Sequence, residues 1–382
     1  MDIGEYIKKK LLEKGASIVG FADMSGISEQ ARKGLPYGII IGIALDPAIV
    51  SGITNGPTME YYEEYCRINT RLNELDKYAE RLLKNNGYEA LAKTSETVAV
   101  DESNWRTELP HKTVATRAGL GWIGKCALLV TEEFGSAIRI SSVLTNAELK
   151  AGTPVNLPKC GNCSICKDVC PAGAVSGELW EAARNRDEFY NAFKCRSTAI
   201  ERSSKIGIDE SLCGLCIVKC PWTRRYIAKS IRYTAGGLEL LPQVGPLWYG
   251  LREHHSVISD YFSKSIKARS FEDRAEDFTK NADRTAYMIE LAKTGGADRA
   301  VGYCISSVGS DLTGEVESLF VDGAYRGLGI GEQLMKSSLA WMDEKGAKRK
   351  RVNMMAGNNV LEFYERFGFK VRSMILEQVE NR

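Results

Sequence analysis

Cys160-Gly-Asn-Cys163-Ser-Ile-Cys166-Lys-Asp-Val-Cys170-Pro171 is followed by Cys195 and then by Cys213-Gly-Leu-Cys216-Ile-Val-Lys-Cys220-Pro221. Eight of the 11 cysteines in the 382-residue chain lie in this block. A three-cysteine run with a fourth before proline is ligand spacing for 4Fe–4S clusters, each of which takes four thiolates. The second run is one cysteine short and Cys195 supplies it, so the eight make two complete sets. In runs ending Cys-Pro the last cysteine ligates the other cluster. The expected sets are Cys160, Cys163, Cys166 and Cys220 for one cluster, and Cys170, Cys195, Cys213 and Cys216 for the other. The crossing ties the two runs into one folding unit.

Structural zinc and disulfides are the competing readings of paired Cys-x2-Cys motifs. Zinc does not account for the fourth cysteine before proline. Disulfides fit poorly with an N-terminus, Met1 to Gly15, that is charged and reads as an amphipathic helix rather than a secretory signal. No apolar run reaches the roughly 18 residues of a membrane span. The expectation is a soluble, cytoplasmic protein in a reducing compartment, with no membrane association. An apolar content of 44% supplies ordinary cores, and the length predicts two or three domains. A net charge of +2 gives no electrostatic reason for a polyanionic partner.

Upstream of the cysteines, short apolar runs at Ser17–Phe21 and Gly38–Leu45 read as strands. A long helix follows, in which Tyr65, Ile68, Leu72, Leu75, Ala79 and Leu82 recur at helical spacing and Asn85-Asn86-Gly87 marks the stop. Cys66 on this helix is expected in the core. Further strands are expected at Ala127–Thr131 and Ile138–Leu144, giving an α/β unit. The predicted organisation is an α/β reductase domain over residues 1–154, a ferredoxin-like double-cluster domain over 155–226, a linker over 227–265 with Gly236-Gly237, Pro242 and Gly245-Pro246, and a third domain over 266–382.

The motif Arg117-Ala-Gly-Leu-Gly-Trp-Ile-Gly-Lys125 joins a helix to a strand through three glycines, which permits a close backbone approach. Together with the cysteine block, Cys195-Arg-Ser197 and Cys220-Pro-Trp222, it resembles the epoxyqueuosine reductases, a family related to the reductive dehalogenases. The resemblance covers roughly residues 1–225. It implies an α/β domain similar to nitroreductases that holds a cobalamin, fed with single electrons by the two clusters. It also places Gly121, Trp122, Gly124, Lys125 and Ser197 near the corrinoid. Cys126 stands where the family usually carries asparagine, and is expected as a small buried residue on a strand. The register of the family's proton-donating aspartate falls on Trp105. Glu108 or His111, aimed by the rigid Leu109-Pro110 turn, are the expected replacements. The family's helical tRNA-binding extension has no counterpart in this sequence, which argues against tRNA as substrate.

Near the C-terminus a strand at Glu315–Val321 leads into Arg326-Gly-Leu-Gly-Ile-Gly331 and a helix at Glu332–Met342. A glycine-rich loop before a helix turns several N–H groups and the positive helix end to one point, which suits a pyrophosphate. With Asn358-Asn359 and Phe363-Tyr364-Glu-Arg-Phe-Gly-Phe369, it looks like the GNAT acetyltransferases over about 266–382, a mixed-sheet fold. The resemblance implies acetyl-CoA held by the loop, here Arg326, Leu328, Gly329 and Gly331, with Tyr364 protonating the departing thiolate. A strand glutamate, Glu315 or Glu317, helps deprotonate the amine. The segment before Glu315 is short for the family, so its opening elements are either trimmed or drawn from the linker.

The expectation is thus an iron–sulfur, cobalamin-dependent reductase joined to an acetyl-CoA-dependent N-acetyltransferase. Its partners would be an electron donor such as ferredoxin or flavodoxin and a small-molecule or modified-nucleoside substrate. Two alternatives stay open: FMN in place of the corrinoid, and a non-catalytic redox sensor or electron carrier with the GNAT unit as its output.

Overall fold

The β-branched run Ile39-Ile40-Ile41 is completely buried, because its strand is flanked on both edges and covered on both faces. The computed structural model describes residues 2–94, 97–259, 261–295 and 298–377. They divide into two packed units, Met1–Lys229 and Ser230–Arg382, both of the α/β class. No helix among the described residues is long and apolar enough to cross a membrane.

In the first unit, strands β1 (Ile18–Asp23), β2 (Tyr37–Ala44), β3 (Ala90–Lys93) and β6 (Ile138–Thr145) form an antiparallel sheet in the order β1-β2-β6-β3. A separate two-stranded ribbon pairs β4 (Trp122–Ile123) with β5 (Leu129–Val130). The helix Met59–Asn85 lays Ile68, Leu72, Leu75, Ala79 and Leu83 on one face of the sheet. Its N-terminus is capped by the Thr58 hydroxyl, which accepts from Tyr61 N at 3.2 Å. Cys66 falls on the opposite side of that apolar stripe and is exposed, not core. On the other face the helix His111–Arg117 packs Val114 and Ala115 against Met24, Ile40 and Leu144.

The cysteine-bearing residues are not a separately packed domain. They belong to the same unit as the sheet, and polar as well as apolar contacts bind them to it. The Thr223 hydroxyl accepts from Ser136 N at 3.0 Å, Tyr226 donates to Leu45 O at 2.9 Å, and Phe134 meets Tyr226 edge to face at 5.3 Å.

In the second unit, β7 (Ile231–Gly236), β8 (Thr285–Thr294), β9 (Ala300–Gly309), β10 (Thr313–Val321) and β11 (Arg349–Val352) form one sheet in the order β11-β10-β9-β8-β7. All pairs are antiparallel except β10 with β11. The stretch expected as a linker therefore supplies an edge strand and the helix Leu241–Ile258. Pro242 sits in the first turn of that helix, where its missing N–H costs nothing, and Pro246 lies inside it. Burial outweighs the lost hydrogen bond: Leu241, Val244, Leu247 and Trp248 pack with Phe271, Phe278 and Tyr303, each worth about 1.5–3 kcal/mol when buried.

Candidate functional site

Short helices place the ligand cysteines. Ile165–Asp168 carries Cys166, Leu215–Lys219 carries Cys216, and Ala192–Ser204 carries Cys195, while Cys220 immediately precedes Pro221–Lys229. Cys220 lies within electrostatic reach of Cys160 and Cys166, and Cys195 within that of Cys170 and Cys213. All eight thiols are free of disulfides and only partly buried. Burial first, then the neighbouring sulfurs, raises both Cys195 and Cys220 above the ordinary thiol range. Clustered thiols held out of water are costly until a cation takes them as thiolates, so these residues fit the iron they would bind. Among the described residues no group of three or more His, Cys, Asp or Glu side chains is placed to hold a metal ion.

Hydrogen-bond donors reach both sets. Trp122 Nε1 donates to Cys160 Sγ at 3.4 Å, Ala174 N donates to Cys170 Sγ at 3.4 Å, and the Tyr190 hydroxyl bonds to Cys195. Trp122 is fully buried and meets Trp222 edge to face at 5.0 Å.

The glycine motif serves the protein's own packing. A Cβ on Gly121 would stand 2.2 Å from Val130 O, and one on Gly124 2.9 Å from Val130 Cγ2, so both glycines let β4 close on β5. Lys125 is buried and its charge acts on Cys166. Ser197 is spent on Lys194 O at 3.1 Å. Gly121, Trp122, Gly124, Lys125 and Ser197 thus gather on the cluster side, and none of them lines the cavity described next.

That cavity, of about 670 Å³, opens beside the clusters, a size typical of ligand sites. Its apolar wall includes Ile123, Ala127, Leu128, Leu129 and Ile217, and Trp105, Trp180 and Phe189 add aromatic faces. Five lysines and arginines (Arg106, Lys112, Arg139, Arg184 and Arg186) line it against the one carboxylate of Glu108. Sequence reasoning passed over these cations because they come from separate loops, helical turns and the strand β6, with no shared period. Trp105 has a left-handed φ of 53°, a costly conformation for a large residue. It is held by Arg196 stacked 3.8 Å over its ring and by Arg186 donating to its carbonyl at 2.7 Å.

Glu108 and His111 both line this cavity. Lys33, at 2.6 Å, holds the Glu108 carboxyl below its ordinary range, so it is ionised at neutral pH and is a base rather than an acid. Burial, with Lys93 and Arg139 nearby, lowers His111 to about 4. Its ring is therefore neutral at pH 7, with Nδ1 2.9 Å from Ser142 Oγ. Lys112 donates to Ala127 O at 2.5 Å, and burial lowers its ammonium to about 8.

In the second unit, Gly327 and Gly329 have φ of +74° and +81°, and Gly329 opens the helix Ile330–Glu344 without a side-chain cap. The N–H groups of the first turn are thus presented as an anion site requires. Arg326 donates to Val321 O at 3.1 Å and lies over Phe320. Gly331 packs against the ring of Phe363, whose neighbour Tyr364 is carried by the short helix Leu361–Glu365. Burial pushes the Tyr364 phenol up to about 12, so it keeps its proton. Glu315 is engaged by Arg351 and Asn353. Glu317 accepts from Ser307 at 2.7 Å, and burial raises its carboxyl above the ordinary range.

Comparison with known proteins places these features. Residues 159–223 match the 4Fe-4S double cluster binding domain, and residues 251–369 match the Acetyltransferase (GNAT) family. The chain is 35% identical over 164 residues to the epoxyqueuosine reductase of Atelocyanobacterium thalassa, covering 42% of this chain and 52% of that protein. It is 31% identical over 171 residues to that of Lactococcus garvieae, covering 42% of each. The chain therefore spans about half the length of the curated relatives it matches. A solved epoxyqueuosine reductase from Streptococcus thermophilus aligns with 59% of this chain and 67% of its own, at 22% identity and a TM-score of 0.41. The chain joins a double-cluster unit similar to the epoxyqueuosine reductases to a GNAT acetyltransferase-like unit.

Proposed function

We propose that the first unit is an iron–sulfur reductase whose clusters deliver single electrons to a corrinoid in the 670 Å³ cavity, and that the second unit is an acetyl-CoA-dependent N-acetyltransferase. One observation carries the reductase reading: Ile217 lines the cavity and is the chain neighbour of Cys216, a ligand of the second set. A cluster held by Cys216 would lie one residue from a ligand bound in the cavity.

The cavity residues fit a large, flat, amide-fringed molecule. The apolar wall and Trp180 and Phe189 suit a ring face, while Thr107, Thr113, Ser136 and Asn185 offer hydrogen bonds around it. When bound, a corrinoid supplies a strongly reducing cobalt centre. The protein supplies the rest: an aromatic clamp at Trp105, a cationic surround that favours an anionic substrate, and a proton from Lys112. Glu108 and His111 hold substrate and orient water, since neither is an acid at neutral pH. The substrate is a small molecule or a modified nucleoside, and the electrons come from a ferredoxin- or flavodoxin-like donor. In the second unit the Gly329 loop binds the pyrophosphate, Glu317 takes the amine proton through water, and Tyr364 protonates the leaving thiolate.

Anaerobic titration of the iron-loaded protein with cobalamin, followed by absorbance and EPR, tests the reductase reading. Stoichiometric binding with a shifted cobalt signal is expected. Failure to bind cobalamin, with stoichiometric binding of FMN instead, would overturn the corrinoid assignment.

A further inference from the structure

Asp187 does not line the cavity, yet its carboxylate anchors two arginines that do. Oδ2 accepts from Arg106 Nη2 at 2.9 Å, and Oδ1 accepts from Arg186 Nε at 2.9 Å. Arg186 spends its two remaining nitrogens on the turn that faces it, donating to Trp105 O at 2.7 Å and to Asn104 O at 2.6 Å. Arg106 closes that turn by an antiparallel bridge with Asp101 and also donates to Asn185 Oδ1 at 2.5 Å. Both halves of this clasp are shaped locally. The Asp101 carboxylate accepts from Ser103 N at 3.0 Å and from Asn104 Nδ2 at 2.5 Å, while Asn185 and Glu188 form a capping box around the single turn Arg186–Glu188. Trp105 sits in the first half at its left-handed φ of 53°, a conformation that persists only where the surroundings enforce it. Arg196 covers one face of its ring at 3.8 Å and is not among the cavity residues, so the other face is the one a ligand in the cavity meets.

We propose that Asp187 is a positioning residue of this cavity: by bridging Arg106 and Arg186 it holds the turn of residues 101–106 in place, with Trp105 fixed as one aromatic wall. The proposal rests on the cavity being a ligand site, as proposed above. An exposed ion pair on its own adds little. Here one carboxylate accepts from two guanidiniums that are both tied to other groups, and the Arg186 side chain is only 18% exposed, so charge-assisted bonds of fixed geometry replace a loose surface contact. Arg186 donates to two backbone carbonyls of the turn, which any shift of its guanidinium would break together. Without Asp187 both arginines lose the acceptor that orients them, the strain at Trp105 is released, and the turn swings away with its ring. The ligand then loses a wall while the core of the first unit, built on the sheet, is untouched.

Limited trypsin digestion of the iron-loaded full chain under anaerobic conditions, read by mass spectrometry at the Arg106–Thr107 bond, tests this, with iron counted and cobalamin dissociation timed on the same samples. Asp187→Ala is expected to keep its iron and to be cut at this bond about tenfold faster, because cleavage follows the population of the opened turn and a lost bond to a charged group is worth about that factor. Cobalamin should also leave this variant about tenfold faster. Asp187→Glu, which keeps the carboxylate, should stay within about threefold of wild type in both measurements. Equal cutting of all three proteins would overturn the proposal. Iron loss, or cutting spread over the whole first unit in Asp187→Ala, would overturn it as well, by making Asp187 a residue of general stability. Faster cutting with an unchanged cobalamin off-rate would confine Asp187 to the turn and remove its role at the cavity. Wild-type protein that binds no cobalamin defeats the corrinoid reading instead, and the same off-rate comparison is then made with FMN.

Discussion

Arg351 holds the carboxylate of Glu315 at 2.6 Å across the parallel pair of β10 and β11, and Asn353 donates to its other oxygen at 2.7 Å. Glu317, two residues along, lies at the irregularity in the β9–β10 register between Val316 and Ser318. Burial raises its carboxyl above the ordinary range, which strengthens it as a base. Glu317→Gln is therefore expected to lower acetyl transfer to a panel of primary amines by about a hundredfold. Glu315→Gln should change it less than about threefold, since an ion pair with a solvent-facing arginine contributes at most about 1 kcal/mol. Free-thiol release from acetyl-CoA reads both, and equal losses would return the role to Glu315.

Tyr364→Phe removes a phenol that burial keeps protonated well beyond neutral pH. The turnover number should fall at least about tenfold, while the KM for acetyl-CoA stays within about twofold, because the pyrophosphate is held by the loop before Ile330. A variant that lost affinity and kept turnover would make Tyr364 a packing residue.

The crossed ligand sets predict an asymmetric outcome for Cys220→Ala. Although Cys220 is in the second run, its loss should remove the cluster held by Cys160, Cys163 and Cys166. The iron content should drop by about half, with the surviving EPR signal matching that of wild type rather than that of Cys195→Ala. If Cys195→Ala and Cys220→Ala lose the same signal, the runs are not crossed.

His111 makes stability depend on pH in a defined window. Its folded value of about 4 lies below the ordinary 6.5, so between these values the unfolded chain binds more protons and stability falls as pH falls. The full effect is on the order of 3 kcal/mol. His111→Gln should flatten the thermal midpoint of the anaerobic, iron-loaded protein between pH 4 and 6.5 relative to wild type. An unchanged slope would show that the imidazole is not the responsible group.

Gly121→Ala is expected to destabilise the first unit by about 3 kcal/mol or more, because its Cβ would stand 2.2 Å from a backbone carbonyl that cannot turn away. The loss should appear as lower iron retention on mild heating. Gly329→Ala, with open space around its Cβ but a φ of +81°, should cost about 1–2 kcal/mol and weaken acetyl-CoA binding, leaving the cluster spectra unchanged.

What was legible from sequence alone was chemistry tied to local spacing. The cysteine runs, the Arg326–Gly331 loop and the apolar stripe of Met59–Asn85 are each set within a few turns of chain, where ligand geometry and helical period leave little freedom. The tertiary structure decided whatever depends on which distant segments meet. Pro246 reads as a breaker, yet it lies in a helix because the apolar face of that helix is buried against residues after Phe271. Gly121 reads as a cradle for a ligand, yet its space is filled by the carbonyl of Val130. Glu108 reads as a proton donor, yet Lys33, distant in sequence, holds it ionised. Burial and the approach of charges are long-range terms, and no local pattern encodes them.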